Sequence, residues 1–534
     1  MAPRGFDPKA VAGKFPEPER QVQVLVIGAG PAGVAAALAA AEGGAQVMLV
    51  DENPVDAGLL GLDTPLYYGA RYTGAVQSRA RMLEQVFAAS PLLETAFEAG
   101  VQIELGVSCW GAWVGGEGLI SLPGPVAGLS DGERAWMVGF ETLILATGAR
   151  DVVFSFQGWD QPGVMGAQGL HALVKTYDAF TGRRLVILGS GVLALETALF
   201  ALGHGLEVVA LVEVEPQVQG PSPLADQVRA TGVEILTGSA PANARGGLDG
   251  VESLTVRAAD GAEREIGCDT IVQAISLTPV IELLGVLGAE TAMQPTLGGH
   301  APVTLDGTTT SLPNVFLAGD VAGAPGGSWL GDDAAVESGR RAALAALGRP
   351  FAPSDALKAP AATHQVPSID YQQAWMRRLL SMNCAQVLIC QCEEVTREAL
   401  LAVRQPAYLG PPSAGMARRD FATLLGDGPA NQDQIKRLTR ACMGPCQARR
   451  CREQVALALA CAGNESAARI PLAGYRAPVR PLPLSVLADW EEARAMSSHW
   501  DVWLGIPTQW VPYADIGTDR ELLHAGVLGG GPDE

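Results

Sequence analysis

Short unbroken apolar runs that break at Gly-rich turns fill the first two thirds of the chain. VQVLVI (residues 22–27) suits a strand buried on both faces of a parallel sheet. It turns through GAGPAG into an Ala-rich stretch, Val34 to Gly44, with high helix propensity. QVMLV then forms a second strand ending in Asp51 and Glu52. RRLVILGSGVLALE (183–196) begins the same progression again, with a helix to Gly205 and a strand in EVVALVEVE. Two further apolar runs, FETLILATGAR (140–150) and LPNVFLAGDVAG (312–323), end in small residues. Strands alternating with helices in this way predict an α/β fold with two Rossmann-like dinucleotide-binding domains.

Beyond residue 345 the pattern changes. RPFAPSDALKAPAATHQVPS is Pro/Ala-rich and predicts a connector. A Cys-rich segment follows, and then YRAPVRPLPLSVL and DWEEARAMSSHWDVWLGIPTQWVPY. This tail holds Trp490, Trp500, Trp503 and Trp510 among prolines and cannot build its own core. It is expected to wrap another surface, either its own chain or a second subunit docked by aromatic anchors.

The 534 residues predict about three or four domains. A content of 48% hydrophobic and 18% charged residues excludes a disordered or coiled-coil chain. The net charge of −20, without basic runs, argues against nucleic acid as a partner, because phosphate binding depends on Lys and Arg. No apolar run reaches about 18 residues, so no transmembrane segment is expected. The start, MAPRGFDPKAVAGKFPEPER, lacks a signal-peptide core. A cytoplasmic location, or one peripheral to the inner membrane face, is expected.

The two repeats carry nucleotide chemistry. In the first, Gly28 permits the tight turn, Gly30 lets backbone approach a pyrophosphate, and Gly33 lets helix and strand pack closely. Ala32 stands beside them in the first helical turn, whose positive dipole end would face the phosphates. An acid after the second strand can bind ribose hydroxyls; spacing does not separate Asp51 from Glu52, and Asp51 is the slightly favoured choice. In the second repeat Gly189 and Gly191 match the first two glycines and Ala194 replaces the third. Glu213 or Glu215 follows the strand and would repel a 2′-phosphate, so NAD or another adenine nucleotide such as ATP is favoured over NADPH. An empty fold kept for its shape stays open as the alternative.

At this point the chain resembles the two-dinucleotide-binding-domain flavoproteins of the pyridine nucleotide-disulfide reductase-like group. The resemblance rests on the order GAGPAG, ATG, GSGVLA, GD and covers about residues 20–345. It implies that Thr147 and Gly148 pass close to FAD, that Gly319 leaves room for it, and that Asp320 binds its ribityl chain. It also implies a discontinuous FAD domain, 20–155 and 276–348, with the second nucleotide domain, 156–275, inserted. Residues 349–383 are then a linker, 384–465 a cluster domain and 466–534 a tail for subunit contacts. One departure matters. Residues 1–383 hold only Cys109 and Cys268, so the redox cysteine pair of the disulfide reductases is missing. The six histidines are scattered and suggest no base dyad.

The other seven of the nine cysteines lie between Cys384 and Cys461. Such a local cluster in a long Cys-poor chain points to a reducing compartment and to metal or cluster chemistry. Thiolates suit zinc or iron–sulfur centres, and the C-x-C pair Cys390/Cys392 is tight for zinc but suits one iron of a pair. CQCEEVT…ACMGPCQARRC is similar to the bacterioferritin-associated-ferredoxin-like [2Fe-2S] domain, a small, mainly helical unit. By that resemblance the ligands are Cys390, Cys392, Cys446 and Cys451. Cys442 stands where the family has Gly and reads as a bystander able to swap in. Zinc stays as the alternative, and Cys384 and Cys461 are expected to be buried helix-face thiols.

Across its whole length the chain resembles the α (A) subunits of opine oxidases and of hydroxyproline and proline dehydrogenases, and the B subunit of hydrogen cyanide synthase. ATGARDVVFSFQGWDQPGVMGAQGL carries that likeness beyond the shared fold. The resemblance implies an electron-transfer subunit, with no catalytic residue of its own. A D-amino-acid-oxidase-like FAD subunit would oxidise the amine, and this chain would pass electrons through FAD and [2Fe-2S] to an external acceptor. An FMN at a subunit interface and a small third subunit occur in that family. The alternatives are a free-standing NADH-dependent reductase and a non-catalytic scaffold.

Overall fold

The computed structural model describes residues 17–54, 69–115, 124–351, 368–382, 385–411, 413–488, 515 and 518–520. The four tail tryptophans and Cys384 lie outside the described residues.

The first sheet has seven strands. Six run in the order Gln102–Leu105, Val47–Asp51, Arg20–Ile27, Ala135–Leu145, Val126–Ser130, Ser108–Trp113, and Val315–Leu317 pairs with Ala135–Leu145 off this path. The central strands are parallel, with Ile27 opposite Val50 and Leu145, and Leu145 opposite Leu317. Their carboxyl ends therefore share one edge, where open α/β sheets place ligands. The helix Pro31–Glu42 covers this sheet and packs against Asp332–Ala346 so closely that a Cβ on Gly339 would lie 2.0 Å from the Ala32 carbonyl.

The second sheet is parallel, in the order Glu234–Leu236, Glu207–Val212, Arg184–Leu188, Thr270–Gln273, Val164–Gly166. A three-stranded antiparallel sheet, Ser239–Gly247, Gly250–Ala258 and Glu263–Gly267, adjoins it. Where the chain leaves and re-enters the first domain, Ala149–Asp151 pairs antiparallel with Leu277–Pro279.

The expected linker is not all connector. Residues Ser368–Leu380 form a helix whose Ile369, Tyr371, Trp375, Met376 and Leu379 are buried. Asp370 in its first turn and Arg377 and Arg378 in its last complement the helix dipole. The preceding Pro/Ala-rich run hides this amphipathic stretch when composition alone is considered. The helix also joins the core of the second nucleotide domain to that of the Cys-rich segment. Phe154, Val186 and Val212 share one buried cluster with Trp375, Ile389, Ile435 and Leu457. A unit of this small size gains little from its own core, and packing on a neighbour supplies the rest. No helix among the described residues is long and apolar enough to cross a membrane.

Candidate functional site

At the shared strand edge a cavity of about 410 Å³ opens, lined by Gly28, Gly30, Ala32, Asp51, Glu52, Thr147, Gly148, Gly319 and Asp320 among others. Gly28 has φ +112°, and a Cβ there would meet the Ala146 carbonyl oxygen at 2.2 Å. A Cβ on Gly33 would lie 1.8 Å from the Gly28 carbonyl oxygen. Gly30 is different: a Cβ there meets nothing within 4 Å and would project into open space beside the turn. It caps the helix Pro31–Glu42 without a side-chain hydrogen bond. The first helical turn, whose amides have no intrahelical acceptor, thus lies at the cavity wall with open space beside Gly30. These residues fit the pyrophosphate of FAD.

The two candidate ribose acids separate. Asp51 accepts from the Ala29 amide at 2.5 Å and the Asn53 amide at 2.7 Å, so it braces the turn itself. Burial raises its pKa against those hydrogen bonds. Glu52 accepts from Arg480 Nε at 2.6 Å. Burial would raise Glu52, but Arg480 and then Arg449 more than offset this and hold it below the usual carboxylate range. Deeper in the cavity Thr147 Oγ1 donates to the Val280 carbonyl at 2.8 Å. Asp320 Oδ1 accepts from the Leu330 amide at 2.9 Å, and burial raises its pKa to about 6.

Several residues of this wall carry no predicted role, although Arg150, Asp151, Arg449 and Arg450 stand inside the motif strings. Arg150 and Asp151 follow closely on the ATG segment. Asp151 accepts from the Ala167 and Gln168 amides, and burial raises it to about 7. Arg150 pairs with Glu282, and with Glu453 at 2.7 Å, tying the first domain to the Cys-rich one. Burial would raise Glu282, but Arg150, helped by Arg480 and Arg452, holds it down to about 2. Arg449, Arg450 and Arg480 complete the wall. The sequence signal for Arg449 and Arg450 is the ARRC string that ends in Cys451, whereas Arg480 stands apart in the YRAPVRPLPLSVL run. Cys109 also lines the cavity, buried and pushed up to about 12 by desolvation.

The second nucleotide fold is arranged differently. Glu213 is fully buried, and its Oε2 accepts from Ser190 Oγ at 2.6 Å and from Tyr371 Oη at 2.5 Å. The Ser190 amide, between Gly189 and Gly191 in the turn, donates to the same Tyr371 hydroxyl oxygen at 3.2 Å. The space left beside Gly191 is about 20 Å³, bounded by Tyr371, Ser368 and Gln219. That is room for about one water, which occupies roughly 10–15 Å³ by such a measure. The acid and a turn amide expected to hold NAD or ATP are both engaged by the helix Ser368–Leu380. Burial, chiefly, raises Glu213 to about 7.

The predicted thiols lie together. Cys392 Sγ is 3.5 Å from Cys446 Sγ, and Cys451 Sγ is 3.7 Å from Cys390 Sγ. Cys442, expected to be a bystander, places its Sγ 3.5 Å from Cys451 Sγ. Gly444 is required here, since a Cβ on it would meet Cys392 Sγ at 2.3 Å. Contact with the Cys390 thiol raises Cys392 to about 11, and contact with Cys392 raises Cys446. Crowded soft donors that resist carrying charge together fit a cationic iron centre. Among the described residues the thiols contact one another as hydrogen-bonded pairs, and no group of three stands in metal-holding geometry. Cys461 is half-buried and contacts the Gln373 carbonyl, rather than being fully buried as expected.

Residues 22–345 match the family of pyridine nucleotide-disulphide oxidoreductases. The chain is similar to the A subunit of opine oxidase from Agrobacterium tumefaciens (strain Ach5), 27% identical over 503 residues that cover 87% of this chain and 91% of that protein. It is similar to hydrogen cyanide synthase subunit HcnB of Pseudomonas aeruginosa, 28% identical over 470 residues, 80% of this chain and 90% of that one. L-proline dehydrogenase from P. horikoshii shares its fold, with a TM-score of 0.56 at 19% identity, covering 89% of this chain and 81% of the other. The matched span includes the Gly28 turn, the second fold and Asp320, and it exceeds half of the 534 residues. The chain therefore belongs to the pyridine nucleotide-disulphide oxidoreductase family and is an FAD-type oxidoreductase.

Proposed function

We propose that this chain is the electron-transfer subunit of a hetero-oligomeric amine or imino-acid dehydrogenase. FAD would lie in the first nucleotide fold and a [2Fe-2S] cluster on Cys390, Cys392, Cys446 and Cys451. The observation that carries this reading is a shared wall: Arg449 and Arg450 line the first cavity and lie between Cys446 and Cys451 in sequence. Bound FAD supplies two-electron acceptance and the cluster supplies single-electron steps. The chain's own part is positional. Gly30 leaves space for the pyrophosphate, Asp51 braces the turn, and Arg150 ties the cavity to the Cys-rich segment through Glu453. The names of the opine oxidase and hydrogen cyanide synthase relatives, both subunits, support a partner chain that binds substrate.

The runner-up, an NADH-dependent reductase, has the small space beside Gly191 against it. Among the described residues lining the first cavity Cys109 is the single cysteine, which also weighs against thiol–disulfide chemistry.

The test uses the purified full chain. Flavin absorption, about two irons and two sulfides per chain, and a reduced-state EPR signal are expected. An opine, hydroxyproline or glycine should be turned over only in the presence of a partner flavin subunit. Turnover by this chain alone, or rapid flavin bleaching by NADH, would overturn the reading. Absence of flavin after gentle purification would favour a scaffold instead.

A further inference from the structure

Arg150 lines the first cavity, and its ion-pair partner Glu282 lines a second one of about 180 Å³. The wall of this second cavity combines Glu282 of the first domain, Lys436, Cys442 and Arg452 of the Cys-rich segment, and Tyr475 and Arg476 beyond it. It holds far more than the roughly 10–15 Å³ that one water needs.

The polar groups facing this space are unusual. Arg452 is only 3% exposed, yet its Nε and Nη1 have no hydrogen-bond partner. Its remaining nitrogen, Nη2, makes one long contact of 3.5 Å to the Gln447 carbonyl. The guanidinium stacks 3.8 Å from the centre of the Tyr475 ring, and the buried Tyr475 hydroxyl is also unpartnered. Glu282 is a third residue with an unpartnered atom, Oε2; its other oxygen is engaged by Arg150. Although Glu282 is paired with Arg150 and lies near Arg452, these buried atoms make no hydrogen bond. A buried polar atom left without one carries its full desolvation penalty, so such atoms normally mark a missing partner.

The three orphans define that partner. Arg452 and Tyr475 offer donors, and Glu282 offers an acceptor. Lys436 and Arg476 add positive charge at the wall, with Asp433 beside Lys436 bonded instead to the Gly474 amide. A ligand must accept from the cations and the phenol and also donate one hydrogen bond to the carboxylate. Hydrogen phosphate does both, since it carries two charges and one O–H, and Arg binds such oxyanions through charge-assisted bonds. Sulfate and acetate accept but cannot donate.

We propose that this cavity binds a hydrogen phosphate-type oxyanion, held by Arg452 and Tyr475 and selected by Glu282. The site is a different cavity from those of the two nucleotide folds, and its failure would leave the proposed function standing.

The test is isothermal titration of the full chain, with its cofactors, at constant ionic strength. Inorganic phosphate, glycerol 2-phosphate, sulfate and acetate are the probes. Phosphate should bind saturably at one site and at least tenfold more tightly than sulfate or acetate. Glycerol 2-phosphate, whose dianion has no P–O–H to give to Glu282, should bind at least tenfold more weakly than phosphate; equal binding would overturn the selection by Glu282. Arg452→Gln should abolish the binding, and Tyr475→Phe should weaken it about threefold to tenfold, the worth of one hydrogen bond. If Arg452→Gln fails to fold, Tyr475→Phe and the half-buried Lys436→Gln carry the test. No saturable phosphate binding up to tens of millimolar, sulfate binding as tightly as phosphate, or unchanged affinity in the variants that fold would overturn the proposal.

Discussion

The two nucleotide folds of this chain share a strand, a Gly turn, a helix, a second strand and an acid, but different things stand opposite the turn. Opposite Gly30 there is open space within a cavity of about 410 Å³. Opposite Gly191 the atom that an added Cβ would meet first is Tyr371 Cε1 at 3.9 Å, and only about 20 Å³ remains. The acids differ accordingly. Asp51 accepts from the Ala29 and Asn53 amides, whereas Glu213 is held by the Ser190 and Tyr371 side chains. The same local sequence plan thus opens onto a large cavity in one copy and onto a packed helix in the other. What decides between them is a helix contributed from 181 residues away.

The largest expected effect separates the glycines of the first turn. Gly33→Ala places a methyl 1.8 Å from the Gly28 carbonyl oxygen, and neither backbone segment can yield cheaply. It should cost at least ~4 kcal/mol and lose the flavin as well, read by thermal denaturation and the flavin-to-protein ratio. Gly30→Ala should leave stability within ~0.5 kcal/mol, since Gly30 has φ −69° and no neighbour in reach. Its flavin retention should nonetheless fall at least tenfold. A Gly30→Ala protein that keeps a full complement of flavin would show that the pyrophosphate does not lie at this turn.

Features encoded by short-range pattern are legible in the sequence. The apolar run 22–27, the spacing of Gly28, Gly30 and Gly33, and the small residues before Asp320 each specify their own strand, turn or close approach. The C-x-C and Cys446–Cys451 spacings are visible in the sequence, but the thiol contacts cross between them, Cys392 with Cys446 and Cys390 with Cys451, over 54 and 61 residues. The rest depends on chain segments far apart. Nothing near Ser190 announces Tyr371, and nothing near Gly28 announces Arg449 or Arg480. Helix Ser368–Leu380 is hidden by the Pro/Ala-rich residues before it, although Ile369, Trp375, Met376 and Leu379 have helical spacing. The family's glycine at the position of Cys442 suggests a bystander, but it says nothing about where a thiol there would pack.

Tyr371 tests the closed copy most directly. Removing its buried ring with Tyr371→Ala should cost about 3 kcal/mol. The same change frees the Ser190 amide and Glu213. ADP added to the flavin-loaded variant should then raise its melting temperature, while the unmodified protein shows no ADP response. An ADP response in the unmodified protein would mean that the helix yields to ligand and the fold is not closed.

Glu213 provides a smaller, pH-dependent contrast. Burial raises its pKa from 4.5 to about 7. The folded state therefore binds the proton more tightly than the unfolded one. The resulting stability is fully present below about pH 4.5 and is lost as pH rises through about 7. Glu213→Gln removes this dependence. Relative to its own value near pH 4.5, it should gain on the order of 3 kcal/mol over the unmodified protein by pH 8. Urea unfolding at both pH values measures this, and parallel pH profiles would show that Glu213 is already charged in the folded protein.

The smallest effect is the sharpest comparison with the first turn. Gly191 caps its helix with φ −72°, nearly the backbone of Gly30, and a Cβ would make only ordinary contact with Tyr371. Gly191→Ala should change stability by less than ~0.5 kcal/mol. Unlike Gly30→Ala, it should also leave the flavin content and the cluster spectrum unchanged, because no phosphate needs the space its methyl fills. Equal flavin loss from both substitutions would mean that the two turns are not independent. A loss of activity in Gly191→Ala with flavin and cluster intact would instead point to a nucleotide at the second turn during turnover, and the packing role assigned to Tyr371 would have to be given up.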